Sequence, residues 1–465
     1  MSEPADYFFV GVGGSGMTPL ALIVKGQGSR VEGSDRARDQ GRSPDKFARL
    51  EAQGVVLHPQ DGSGVTRPTQ VVVTSAAVEA TIPDVEAARR VGAIVRLRAD
   101  LLAELFNAAP VSVGVAGTSG KSTTTAMIAH ILNACGRDPT VMNGAEMKDF
   151  DGAAAVIGLG ALFVAEVDES DGSIALYRPT VAVVNNLSLD HKSMEELRAL
   201  FGDFAGRAKT AVLNLDNAEA AALRATLPTG VRVRSFGIDR ASADLCATCL
   251  RSLPGGAAFE VLSASGERAS ATLRTPGRHN VSNALAALSA CLACDVSLAD
   301  AVAALATFSG VRRRMDVKGS AAGVTVIDDF AHNPDKLAAT LTTLRESPGR
   351  LLLMFQPHGY GPLKLMGGEI AAALAEGMSP DDRLWVTEPV YYGGTVDRAV
   401  TGADLARMTA ERGVAAEGAA DREAAAAAML GEAQPGDRIV VMGARDDTLS
   451  DFAADLLVRL GERPA

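Results

Sequence analysis

The chain has 465 residues, 47% of them apolar, and a formal net charge of -11. Its length suggests about three domains, and its acidic balance argues against sequence-independent binding to nucleic acid or to an anionic membrane, which needs a basic face. Five cysteines are an odd count for a disulfide scaffold, no apolar run is long enough to suggest a membrane span, and Met1 to Asp6 lacks the basic and apolar regions of a secretory signal, so a soluble cytoplasmic protein is expected.

Strand-like and helix-like runs alternate nearly throughout, the pattern of α/β architecture. Tyr7 to Val10 reads as a buried strand, Met17 to Gln27 as a helix ended by Gly28, and Ser29 to Glu32 as a strand leading to Ser34-Asp35. Val71 to Thr74 reads as a strand, Asp100 to Phe106 as a helix and Asn107 to Pro110 as a linker. Val111 to Ala116 starts afresh as a strand and passes through a glycine loop into a helix ending at Ala134. Ala161 to Glu166 and Val181 to Val184 read as strands that end in polar residues, where open α/β sheets bind ligands. Gly277 to Leu292 reads as a long helix and the basic Gly310 to Arg314 as a hinge. Val324 to Ile327, Leu351 to Phe355, Arg383 to Val386 and Arg438 to Met442 read as strands of a third α/β unit. The alanine-rich Ala415 to Leu430 reads as helix in its second half.

Two glycine-rich loops carry the chemistry. The first, Gly11-Val12-Gly13-Gly14-Ser15-Gly16, fits G-x-G-x-x-G between a strand and a helix, and Asp35 lies 19 residues past Gly16. That spacing suits an acid on a nucleotide ribose, and by itself favours a nicotinamide or flavin dinucleotide. The second, Gly117-Thr118-Ser119-Gly120-Lys121-Ser122, keeps only G-x-x-G-K-S of the phosphate-loop pattern, because Val115 stands where the leading glycine would be. Lys121 still offers a point charge to β- and γ-phosphates and Ser122 a hydroxyl to Mg²⁺. Thr123, Thr124 and Thr125 are expected to cap the helix start. Two such loops suggest two phosphorylated ligands, as an ATP-driven ligase would need.

Five further clusters follow in order at element boundaries. They are Glu166-Val-Asp168-Glu169-Ser170-Asp171, Asn185-Asn186-Leu-Ser-Leu-Asp190-His191, Gly277-Arg278-His279-Asn280-Val-Ser-Asn283, Gly310-Val-Arg312-Arg313-Arg314, and Asp328-Asp329-Phe-Ala-His332-Asn333-Pro334. With them the chain resembles the Mur ligase family, ATP-dependent amide-forming enzymes of peptidoglycan synthesis that serve cell shape and division. The resemblance runs from Tyr7 to about Leu460 and is nearest the branch that joins UDP-N-acetylmuramate to L-alanine or to a recycled murein tripeptide.

The resemblance implies three α/β domains. Residues 1–108 would form a Rossmann-like UDP-substrate domain, 109–313 a P-loop ATPase-like domain and 314–465 a Rossmann-like acceptor and closure domain. It implies Lys121, Glu166, His191, Arg314 and Asp329 as catalytic residues, with Ser122, Glu166 and His191 at the metal. ATP would be held by Gly117, Thr118, Ser119, Gly120, Lys121, Ser122, Thr123, Asn280, Asn283, Arg314, Asp329 and His332. The first loop becomes the UDP site, through Gly11, Gly13, Gly14, Ser15, Gly16, Ser34, Asp35 and Ser75, which displaces the nicotinamide reading. ATP and Mg²⁺ are the implied cofactors, a UDP-N-acetylmuramate-type donor and an amino acid or peptide acceptor the partners, and a monomer or homodimer the assembly. L-Alanine is the default acceptor; a recycled peptide or another amine is the alternative, and a non-catalytic nucleotide or muropeptide sensor is the rival class.

Relatives usually carry His at 119 and Thr at 122. Ser122 keeps the hydroxyl. After Phe355-Gln356-Pro357-His358 the alanine-specific members continue with arginines, whereas this chain reads Gly359-Tyr360-Gly361-Pro362-Leu363-Lys364. A lost guanidinium is lost bidentate carboxylate recognition, leaving His358 and Lys364 as acceptor candidates. The segments Glu388 to Gly394 and Gly443 to Asp447 also depart from the alanine-specific pattern. Cys246-x-x-Cys249 and Cys291-x-x-Cys294 could suggest zinc, but one turn of an apolar helix is an ordinary place for buried cysteines.

Overall fold

A computed structural model of the chain describes residues 5–76, 78–189, 192–253, 255–389, 398–444, 446 and 448–462. The described residues build three sheets. The first contains β1 (Asp6–Val10), β2 (Arg30–Ser34), β3 (Val56–His58), β4 (Gln70–Thr74) and β5 (Ile94–Leu97), in the order β3-β2-β1-β4-β5 and all parallel. The second contains β6 (Val111–Ala116), β7 (Thr140–Met147), β8 (Ala153–Val156), β9 (Leu162–Glu166), β10 (Val181–Val184), β11 (Thr210–Asn214), β12 (Arg232–Ile238), β13 (Leu245–Leu253), β14 (Gly256–Ser263) and β15 (Arg268–Leu273). Its order is β15-β14-β13-β12-β11-β10-β6-β9-β7-β8. The third contains β16 (Asp316–Ala321), β17 (Val324–Asp329), β18 (Leu351–Gln356), β19 (Arg383–Val386), β20 (Ala416–Gly418) and β21 (Arg438–Gly443), in the order β16-β17-β21-β18-β19-β20. Only β16 in this sheet runs antiparallel, against β17.

The chain forms two compact units. One takes in the chain up to Cys249 with Phe259–Ala271 and Val281–Phe308; the other takes in Leu250–Ala258, Thr272–Asn280 and the chain from Ser309 onward. In the first unit, the first two sheets share one core. Phe9, Leu20 and Leu101 belong to the same buried cluster as Phe163, Val184 and Phe204. Phe106, from the helix Arg98–Ala108, meets Phe163 and Tyr177 edge-on. The helix runs through Asn107 and Ala108, so the expected linker Asn107 to Pro110 shortens to the two residues before β6.

In the second unit, alternation along buried strands sends successive side chains to opposite layers. Leu353 and Phe355 of β18 pack with Leu337, Leu363 and Leu405 from the helices Pro334–Arg345, Tyr360–Gly377 and Gly402–Ala410. Leu352 and Met354 pack on the other face with Met429 and Leu456, from the helices Arg422–Glu432 and Thr448–Gly461. The loops after the neighbouring strands β18 and β21 therefore turn to opposite faces and open a crevice at their carboxyl ends, where such sheets bind ligands.

Among the described residues no helix is long and apolar enough to cross a membrane. The strands β3, β5, β7, β8, β11 to β16 and β20 were not among those expected from the sequence. Cys246 is buried on β13 and Cys249 is exposed, while Cys291 and Cys294 are buried, where burial pushes the Cys294 thiol up to about 12. No group of three or more His, Cys, Asp or Glu side chains suited to a metal occurs among the described residues.

Candidate active site

The second glycine loop connects β6 to the helix Lys121–Ala134. Gly117 has φ +145° and Gly120 φ +80°. A Cβ on Gly117 would lie 3.0 Å from Asn185 Cβ; one on Gly120 would collide with the Asn283 side-chain oxygen and lie 3.0 Å from Asn185 Nδ2. Only glycine suits this combination of backbone and space. Asn186, at the end of β10, braces the loop. Its Oδ1 accepts from Ser119 N–H at 2.9 Å and from the Thr118 hydroxyl at 2.8 Å, and its Nδ2 donates to Ser119 O at 3.1 Å. Asn185 Nδ2 donates to Thr124 Oγ1 at 2.9 Å.

The helix itself begins without a side-chain cap. The expected capping by Thr123, Thr124 and Thr125 does not occur: Thr124 is turned to Asn185, and the buried Thr125 hydroxyl has no partner among the described residues. A helix start whose amides are not capped is an anion site in waiting, and Lys121 stands on its first turn.

Glu166 ends β9, opposite Val115 of β6 in the parallel register. Its Oε2 accepts from Gly144 N–H at 2.9 Å, and no hydrogen bond reaches its Oε1 among the described residues. Beyond it, the acidic loop turns back on the lysine. Lys121 Nζ lies 2.8 Å from Glu169 Oε2 and 3.9 Å from Asp168 Oδ1. Burial works to lower the lysine's pKa, but the carboxylates of Glu169, Asp168 and Glu166 outweigh it and hold the ammonium form. Asn283 packs beside Gly120. His191 lies outside the described residues.

The first glycine loop follows β1 at the switch point between β1 and β4. Gly11 and Val12 N–H both donate to Ser34 O, and Gly14 N–H to Gly11 O. Asp35 accepts from Gly13 N–H at 2.9 Å and from Ala37 N–H at 2.8 Å, so its carboxylate ties β2 to the loop. The Ser34 hydroxyl donates inward to the fully buried Asp84 at 2.6 Å and does not face the loop. Ser75 follows β4 and closes a turn through its carbonyl to Val78 N–H. The helix Met17–Gly26 also starts uncapped, leaving Ser15 and Gly16 on its ligand end. Sequence reasoning missed Arg98, whose side chain covers Gly16: a Cβ there would lie 3.3 Å from Arg98 Nε and Cζ. No spacing rule links an arginine to a glycine loop so far upstream; only the packing of the two elements does.

In the second unit, Asp329 ends β17. It accepts from Met315 N–H at 2.6 Å, Ala331 N–H at 2.9 Å and the Thr340 hydroxyl at 2.9 Å, which fixes the following loop. The Arg314 guanidinium stacks over the Phe330 ring at 4.1 Å. Arg313, expected only as part of the basic hinge, has φ +59° and donates to Gly443 O at 2.6 Å and Asp446 O at 2.8 Å, pinning that hinge to the loop after β21. The His332 ring meets His358 edge-on at 4.8 Å. Burial, with Lys336, His358 and Arg314 nearby, pushes the His332 pKa down to about 3. Lys364 is exposed on the helix Tyr360–Gly377, and Tyr360 donates to Glu388 at 3.3 Å. Asn280 donates to Pro276 O at 2.7 Å. A cavity of about 530 Å³ lined by Arg198, Glu219 and Pro228 contains none of these residues.

An α/β chain with a lysine on an uncapped helix start, facing carboxylates at the next strand end, defines a nucleotide-dependent phosphoryl-transfer protein. Comparison with known proteins narrows this. Residues 6–109 match the Mur ligase family, catalytic domain; residues 115–291 match the Mur ligase middle domain; residues 313–445 match the Mur ligase, glutamate ligase domain. A UDP-N-acetylmuramate–L-alanine ligase of Synechococcus sp. (strain JA-3-3Ab) is 37% identical over 98% of this chain and 88% of the relative. One of Streptomyces avermitilis is 36% identical over 98% of this chain and 97% of the relative. The solved UDP-N-acetylmuramate-alanine ligase of Thermotoga maritima superposes with a TM-score of 0.80 at 24% identity, covering 98% of each chain. A murein peptide ligase from Psychrobacter arcticus gives 0.71 at 23% identity, over 99% of this chain and 100% of the other. The chain belongs to the Mur ligase family of ATP-dependent, amide-forming ligases.

Proposed function

We propose that this protein joins the carboxylate of UDP-N-acetylmuramate to the amine of an amino acid, L-alanine by likeness to its curated relatives, in peptidoglycan synthesis. The observation that carries this reading is the uncapped helix start bearing Lys121 beside the end of β9. An amide cannot form from a carboxylate at neutral pH without activation. Transfer of the γ-phosphoryl group to the donor carboxylate gives an acyl phosphate, the amine attacks its carbonyl, and the tetrahedral adduct expels phosphate.

Lys121 and the free amides of its helix would neutralise charge on the transferring phosphoryl group. Arg314, whose guanidinium lies 4.1 Å from the centre of the Phe330 ring, remains a candidate catalytic cation by the family resemblance. The donor set suits Mg²⁺: Ser122 offers a hydroxyl oxygen and Glu166 a carboxylate whose Oε1 takes no hydrogen bond among the described residues. Bound there, the ion would screen the β- and γ-phosphate charge. The first loop would hold the UDP diphosphate on the amides of Ser15 and Gly16. His358 and Lys364 remain candidates on the acceptor side, and a cytoplasmic location follows from the chemistry of a UDP-linked substrate. The domain limits 1–108, 109–313 and 314–465 are our reading, supported by one sheet falling within each.

The test is turnover of ATP, Mg²⁺ and UDP-N-acetylmuramate with single amino acids and with the L-Ala-γ-D-Glu-diaminopimelate tripeptide, reading phosphate and product mass together. Product with L-alanine is expected. Product with the tripeptide alone would replace biosynthesis by recycling, and bound ATP without any product would make the chain a sensor.

A further inference from the structure

The acidic loop after β9 engages a cation at each of the two glycine loops. Glu169, 5% exposed, holds Lys121 Nζ at 2.8 Å, with Asp168 at 3.9 Å. Two residues on, Asp171 Oδ2 lies 3.7 Å from Arg98 Nη2. That same Arg98 covers Gly16 of the first loop. Among the described residues Arg98 makes no hydrogen bond, and Asp171 is its one ion pair. A loosely held guanidinium beside a glycine loop is ready to take a phosphate. Between its two contacts the acidic loop makes a turn, with Gly172 N–H donating to Glu169 O at 3.1 Å and Asp168 Oδ1 accepting from Ser170 N–H at 3.0 Å. Glu169 and Asp171 thus sit on one turn.

We propose that Glu169 and Asp171 are positioning residues that stand in for phosphate at the two loops, so that donor and nucleotide promote each other's binding. This rests on the reading of the first loop as a UDP site and the second as an ATP site. A phosphate arriving at Lys121 must replace Glu169, since a buried carboxylate and a triphosphate cannot share one ammonium without repulsion. A diphosphate arriving at the first loop takes up the Arg98 guanidinium and leaves Asp171 without its cation. The turn that carries both carboxylates then loses one of its two anchors, and Glu169 leaves Lys121 more readily. Linkage makes the effect reciprocal.

The experiment is calorimetric titration of the full chain with AMP-PNP plus Mg²⁺ and with UDP, each alone and with the other saturating. It is run on the native protein, Glu169→Gln and Asp171→Asn. In the native protein each ligand is expected to tighten the other about tenfold, within the usual range of such couplings. Glu169→Gln should bind AMP-PNP about tenfold tighter without UDP and lose most of the UDP effect. Asp171→Asn, a change at a partly exposed side chain, should raise UDP affinity and flatten the coupling in the same way. Independent binding of the two ligands in the native protein, or weaker AMP-PNP binding by Glu169→Gln, would overturn the proposal while leaving both sites intact. Failure of UDP to bind at all would overturn the donor reading itself.

Discussion

The two glycine-rich loops of the first unit share a strand-loop-helix setting and use it differently. In the first, Gly11, Val12, Gly13 and Gly14 spend their amides on Ser34, Asp35 and Gly11 within the fold, and the nearest cation, Arg98, arrives from another helix. In the second, one side chain, Asn186, braces Thr118 and Ser119, and the cation Lys121 is built into the helix start, which is uncapped as in the first. In the proposed function the first loop holds a phosphate ligand in place and the second stabilises charge as it moves. A consensus of glycines reports a tight strand-to-helix turn; the neighbours decide which of these the turn does.

The comparison is broken most directly at the lysine. Lys121→Ala is expected to cut ATP-dependent phosphate release by at least about a hundredfold, since it removes the built-in charge at the transferring group. UDP binding at the first loop should persist. Retained ligation in that variant would mean that the second loop is not the phosphoryl-transfer site.

Alanine at one glycine of each loop sharpens the contrast. Gly120→Ala meets both a left-handed φ and the side chains of Asn185 and Asn283, and should cost about 2–3 kcal/mol with loss of nucleotide binding. Gly11→Ala has φ +76° but open space around the new Cβ, so it should cost only about 1–2 kcal/mol. Denaturant titration of the two variants reads the difference; equal losses would mean that crowding at Gly120 is relieved by a small shift of Asn283.

The smallest effect lies in the second unit. His332 has its pKa lowered to about 3 from 6.5. Over that window the unfolded chain binds the proton that the folded chain refuses, so stability falls as pH drops below about 6.5. From pH 7.5 to 5.5 this group should cost about 1 kcal/mol. His332→Gln should remove that part of the slope in urea titrations, and an unchanged slope would assign it to His279, whose pKa burial also lowers.

Much of this was legible beforehand because it depends on local pattern. The central apolar runs became strands, β6, β10 and β19 with the very limits expected, and both glycine loops sit between strand and helix as their spacing implied. The short edge strands β3, β5 and β20 were not legible, because only the neighbour across the sheet makes them strands. Nor was the diversion of Ser34 to Asp84, 50 residues away, or of Asp35 to the loop's own amide. Thr123 to Thr125 look like caps by composition, yet Asn185 and the surrounding core claim two of them.

What the sequence alone determined is the alternation of elements, the two glycine-rich strand-to-helix turns and the inventory of charged groups, since hydrophobic period and turn chemistry are local properties. Tertiary structure decided the pairing of those charges. Lys121 meets Glu169 because β6 and β9 are neighbours in a parallel sheet, and Arg98 covers Gly16 because two sheets share a core. Ion pairs and close approaches depend on distance in space, and that distance is set by packing across elements far apart in the chain.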